Sequence, residues 1–104
     1  MSPQVFHILL SLADQDLHGY AIIADIAGRT DGRVVLTAST LYAALKRLLD
    51  EGLVEELERP VDDDPRRRYY RLTRQGRAAG REEAARLDAL AQMARDKRWL
   101  PRSR

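Results

Sequence analysis

Residues 37–73, TASTLYAALKRLLDEGLVEELERPVDDDPRRRYYRLT, constrain the fold of this chain more than any other stretch. Thr37 is placed to cap a helix. Its hydroxyl can accept a backbone N–H at Ser39 or Thr40, satisfying one of the donors that a helix start leaves open. Leu41, Leu45, Leu48 and Leu49 recur at i, i+4, i+7 and i+8, one apolar stripe that has to face a core. Gly52 supplies the left-handed residue on which such a helix stops. The spacing therefore predicts a helix over residues 38–51. Two short alternating segments follow. Leu53 and Leu57 fall on one face of the first; in the second, Tyr70 and Leu72 share a face and Tyr69 and Arg71 share the other. Between them Pro60 and Pro65 bracket Asp62, Asp63 and Asp64, a run that no strand interior accommodates. The pattern is a helix followed by a two-stranded wing with an arginine-rich return strand.

The remainder of the chain supplies helices for this unit to pack on. Ser2 and Pro3 suit a helix start, and Val5, Ile8, Leu9 and Leu12 keep helical spacing, so a first helix is expected over residues 3–14. Gly19 and Tyr20 open a second, with Ile22, Ile23 and Ile26 as its apolar face and its end at residues 27–30, where Gly28 and Gly32 bracket a turn. Helices two and three then form a helix-turn-helix. Thr73 caps a last helix expected over residues 74–98, roughly 37 Å long at about 1.5 Å per residue. Leu87, Leu90, Ala91 and Ala94 form a narrow stripe on it, with Ala84 and Met93 at its margins. A single wing domain has no surface to cover that length, so a homodimer is expected, built on Leu87, Leu90, Ala91, Ala94 and the single tryptophan, Trp99. The organisation is thus a winged helix-turn-helix unit over residues 1–73 and a dimerisation helix with its tail over residues 74–104: a mainly α chain with a β wing.

Charge separates along the chain. Residues 1–58 hold nine acids against four basic residues, whereas residues 65–81 hold seven arginines and no acid. A positive field gathered on a wing beside a helix-turn-helix is the footprint of phosphate binding. On the predicted third helix, Ser39, Thr40, Ala43, Lys46 and Arg47 point away from the leucine stripe or flank it, and Tyr42 lies at its edge. Early hydroxyls allow close approach to base edges, while Lys46 and Arg47 can reach phosphate or guanine. Arg66, Arg67 and Arg68 on the wing can lie along a phosphate backbone or in a minor groove, with Arg71 and Arg74 as further backbone candidates. Asp62, Asp63 and Asp64 lower the local field and can pair with those arginines in the absence of DNA.

Several function classes are disfavoured. The chain has no cysteine, which excludes disulfide scaffolds, cysteine–zinc sites and thiol catalysis. His7 and His18 are isolated, and His18, before Gly19 at a helix start, suits a cap or core contact. No serine–histidine–acid set, phosphate loop or metal-ligand spacing occurs; no metal, cofactor or enzymatic activity is expected. The apolar run near the N-terminus is too short for a membrane span of about 20 residues and lacks a basic leader. A cytoplasmic chain is expected.

The segments FHILLSLADQDLHGYAIIADI, LTASTLYAALKRLLDEGLVEE and RRRYYRLTRQGR, in that order and spacing, resemble the PadR family of transcriptional regulators over residues 5–80. The resemblance implies a winged helix-turn-helix fold, a homodimer built through the C-terminal helix, and repression by operator binding. It also implies that Tyr42, Lys46 and the ribbon at Tyr69 and Tyr70 serve or support recognition, and that small aromatic molecules shift the dimer between DNA-competent and incompetent geometries. With one C-terminal helix, the chain resembles the small branch of the family. The contrasting expectation is a winged helix that has lost DNA binding and holds a protein partner through its last helix. A third is a ligand sensor with no operator of its own.

Overall fold

The computed structural model describes residues 1–58 and 68–102. Its elements run α1 (Pro3–Ser11), β1 (Leu17–His18), α2 (Gly19–Arg29), α3 (Ala38–Asp50), β2 (Val54–Leu57), β3 (Tyr69–Leu72) and α4 (Arg74–Asp96). Each helix begins on a side-chain cap. Ser2 accepts from the Val5 N–H, His18 Nδ1 from Ala21, Thr37 from Thr40 and Thr73 from Gly76. Three helices end in the same way. Asp31, Gly52 and Arg98 adopt positive φ, and the next residue donates back to a carbonyl five positions earlier: Gly32 to Ala27, Leu53 to Leu48 and Trp99 to Ala94. This closure satisfies carbonyls that the last turn leaves open.

Helix α1 stops three residues short of the expected 14. The Leu12 N–H is shared between the Ile8 and Leu9 carbonyls, and Ala13 donates to Leu10. The turn tightens to three-residue spacing there, and the aspartate-rich DQD that follows competes with helical bonding.

The apolar stripes converge on one core. Ile8, Leu9 and Leu12 meet Ile22 and Ile26 of α2, Leu41, Leu45 and Leu48 of α3, and Val54, Tyr70 and Leu72 of the sheet. Val5, Ile23 and Leu49 pack against it half-buried. Burying each such aliphatic side chain contributes about 2 kcal/mol. Arg29, one of the few basic residues in the acidic half, fastens α2 to α1. Its guanidinium donates to Asp25 (2.9 Å), the His7 carbonyl (3.0 Å) and Ser11 Oγ (2.8 Å). Bonds from Arg29, and then from Ser11, hold the Asp25 carboxyl below the usual carboxylate range.

The sheet has three antiparallel strands in the order β1-β3-β2. The wing's two strands are as expected, but Leu17 and His18 add a third by pairing with Tyr70 and Tyr69. Two residues are too few to show an alternation, so this strand carries no sequence signal. Strand β2 begins one residue after Leu53, the first apolar residue of the expected alternation. Val54, opposite Leu72, is the buried residue. Leu57 lies on the other face opposite Tyr69, and Leu53 precedes the strand. The Schellman closure at Gly52 and Leu53 sets this phase, because it commits the Leu53 backbone to the end of α3 before the strand begins.

Helix α4 is sewn to the α3–β2 junction. Thr73 donates its hydroxyl to the Gly52 carbonyl (2.7 Å) and its N–H to the Leu53 carbonyl (3.1 Å). Gly76, one turn on, lies where a side chain would collide with the Leu53 backbone.

Candidate nucleic-acid interface

The helix-turn-helix arises because α2 and α3 both turn leucine or isoleucine faces inward, leaving the opposite face of α3 to solvent. Ser39, Thr40, Ala43, Lys46 and Arg47 are all exposed there. Tyr42, at 42% exposure, lies on the edge of that face. The hydroxyls at the helix start are ordered. Thr37 Oγ1 donates to Thr40 Oγ1 at 3.0 Å and lies 3.5 Å from Ser39 Oγ. The Thr40 oxygen accepts this bond, so its own hydroxyl hydrogen remains for an outside acceptor. Neither Lys46 nor Arg47 takes part in the ion pairs formed among the described residues. Their charge is therefore available to a phosphate.

The wing root is organised by aromatic and ionic contacts. The His18 ring, whose Nδ1 caps α2, meets Tyr69 edge-on with centroids 5.5 Å apart. Tyr69 is half-buried, so it supports the wing as well as facing the surface. Tyr70 points into the core; burial raises its phenol above the ordinary value, with Glu56 and then Tyr42 adding to the effect. Arg68 pairs with Glu56 across the strands at 3.2 Å. Arg71 forks onto Asp16 with bonds of 3.2 and 3.0 Å and lies 3.9 Å from Glu55. It ties the loop before β1 to the centre of the sheet, and these acids offset its charge. Arg74 is exposed at the start of α4. Arg66 and Arg67, with Asp62, Asp63 and Asp64, lie outside the described residues.

Helix α4 carries one continuous stripe. Gly76, Gly80 and Glu83 lie on the side that meets the domain, and helical spacing puts Leu87, Leu90, Ala91 and Ala94 on the same side further along. Only Gly76 and Glu83 of the helix are buried. Arg86 grips the Glu83 carboxylate with bonds of 2.7 and 2.6 Å and holds its pKa below the usual range. Beyond that point the stripe is uncovered: Leu87 and Leu90 are exposed, Ala91 and Ala94 half-buried, and Trp99 is 82% exposed. An apolar groove between α1 and α4, lined by Phe6, Leu10, Ala13, Gly80 and Ala84, adjoins it. The exposed Leu10 was not marked by the helical pattern, which assigns it to the polar side of α1.

Tyr20, 65% exposed in the first turn of α2, also went unmarked as a surface residue. It follows Gly19 in the HGY motif, and its exposure is visible only once α2 is packed in the domain. Among the described residues no group of three histidine, aspartate or glutamate side chains is placed to hold a metal ion, and no helix is long and apolar enough to cross a membrane.

Residues 8–82 match the model of the transcriptional regulator PadR-like family. A transcriptional regulator of Mycobacterium tuberculosis, Rv3488, is 40% identical over 85 residues, 82% of this chain and 76% of that protein. Among solved structures, a transcriptional regulator from Clostridium thermocellum superposes with a TM-score of 0.78 at 27% identity, covering 88% of this chain and 89% of the other. Bacillus subtilis PadR in complex with operator DNA superposes with a TM-score of 0.71 over 81% of this chain and 48% of that one. At 24% identity that likeness speaks for the fold.

Proposed function

Because the chain belongs to the PadR-like family of transcriptional regulators, we propose that it binds a pseudo-palindromic operator as a homodimer, with α3 in the major groove and the wing on the flanking backbone. It is a repressor in this reading and works in the cytoplasm. The observation that carries the proposal is the face of α3: hydroxyls ordered by the Thr37 cap at its start and two uncommitted cations, Lys46 and Arg47, one to two turns on. That Bacillus subtilis PadR, which shares this fold, is found in complex with operator DNA supports the duplex-binding reading.

Two copies related by a twofold axis would place their α3 helices in successive major grooves, roughly 34 Å apart. The uncovered stripe of α4, from Leu87 to Ala94 with Trp99 beyond it, is the surface on which the second copy would pack. An effector of small, flat aromatic chemistry would act by binding one dimer geometry better than the other; Trp99, at the end of the seam, is where it would stack.

Positioning and reading separate in mutants. Lys46→Ala is expected to weaken binding to cognate and scrambled duplexes alike and to lower the salt dependence by about two counterions per dimer, one for each subunit. Ser39→Ala or Thr40→Ala should instead change base preference, with about 1–3 kcal/mol of discrimination at stake for a good base contact. Titrations of labelled duplexes at two salt concentrations distinguish the two effects. Base preference unchanged in both hydroxyl variants would remove the start of α3 from the reading surface.

A further inference from the structure

The HGY motif contains a glycine whose use becomes clear only in three dimensions. Gly19 is the buried first residue of α2. The place that a side chain on Gly19 would fill is taken by the phenol end of Tyr42, which reaches across from α3. Tyr42 is thus seated on one side and open to solvent on the other. The seat adjoins the wing: His18, the preceding residue, caps α2 and meets Tyr69 edge-on. A chain of contacts therefore runs from α3 through Tyr42, Gly19 and His18 to β3, the strand that follows Arg68 and carries Arg71.

We propose that Gly19 is a positioning residue for operator recognition, its missing side chain forming the notch that fixes the Tyr42 ring and hydroxyl at the rim of the reading face. The proposal rests on the DNA-binding reading of α3. Tyr42 precedes Lys46 by one helical turn, so the two side chains are neighbours on the surface. With its phenol end held by the notch, the Tyr42 ring does not search among rotamers when a duplex arrives. An added methyl at Gly19 would meet the far end of a flexible side chain, so it would expel the ring rather than disrupt the backbone. Alanine is also the better helix former, so any loss of function at this position runs against local propensity.

The test is a double-mutant cycle on the intact protein, using a duplex that the wild type selects from a random pool and a scrambled one. Gly19→Ala and Tyr42→Ala are each expected to lower affinity for the selected duplex roughly tenfold, the scale of two modest hydrogen bonds lost, one in each subunit, and to leave scrambled binding nearly unchanged. The double variant should bind no worse than Tyr42→Ala alone. Equal losses from Gly19→Ala in both backgrounds, or wild-type affinity in the single variant, would overturn the proposal. Thermal melting supplies the second readout. Should Gly19→Ala melt early, Tyr42→Ala must restore the midpoint, because it empties the notch; absence of rescue also counts against the seat. Were the wild type to select no duplex at all, the DNA-binding reading would fall separately, while the melting cycle would still decide whether Tyr42 occupies the notch.

Discussion

Gly76→Ala is expected to destabilise the protein by about 3 kcal/mol, combining overpacking with damage to a helix cap. At this chain length that lowers the melting midpoint by roughly 15 °C. The added methyl would collide with the Leu53 carbonyl and the Leu72 side chain. A backbone oxygen cannot swing aside as a side chain can. Helix α4 would have to lift from the α3–β2 junction, breaking the bonds from Thr73 to Gly52 and Leu53. Gly28→Ala is the matched control. A side chain there meets nothing within 4 Å, and the change should stabilise α2 by about 0.5–1 kcal/mol through helix propensity. Melting both variants at one protein concentration checks the contrast. Equal midpoints would contradict the packing of α4 described above.

The second large effect is expected at the far end of the same helix. Leu87→Glu with Leu90→Glu should convert a dimer to a monomer and lower operator affinity at least 100-fold, the scale by which linking two weak sites raises avidity. Both leucines are exposed in the single chain, so the substitutions remove nothing from its core. Ala85→Glu with Ala89→Glu adds the same charge to the opposite side of α4 and should leave assembly intact. Light scattering and a duplex titration measure the two consequences. A double-leucine variant that stays dimeric would move the interface elsewhere.

The helix-turn-helix was legible because its signals are local. Thr37, the leucine stripe and Gly52 lie within one helix length, and the structure uses each as the spacing demands. The caps at Ser2 and Thr73 were legible for the same reason. What the chain hid were features made by residues far apart in sequence. Arg71 reads as a free cation on a basic strand, yet Asp16 engages it from 55 positions away. Arg29 reads as a surface charge but joins two helices. Gly19 reads only as the opening residue of a helix, and only the packing of α2 on α3 shows that it is a seat for Tyr42. Strand β1 exists because β3 offers it an edge. Glu83 reads as one of many surface charges on α4, and its burial depends on where that helix meets the domain. On the candidate interface, the exposed face of α3 was legible from the stripe opposite to it. The half-buried, supporting position of Tyr69 was not, because it depends on His18.

Salt titration of the wild-type protein against a selected duplex tests the central claim most directly. If the dimer neutralises about six phosphates, log affinity should fall against log salt with a slope near −5, with two chains bound per duplex. A single chain that binds no duplex at low ionic strength, or binding that does not respond to salt, would contradict it.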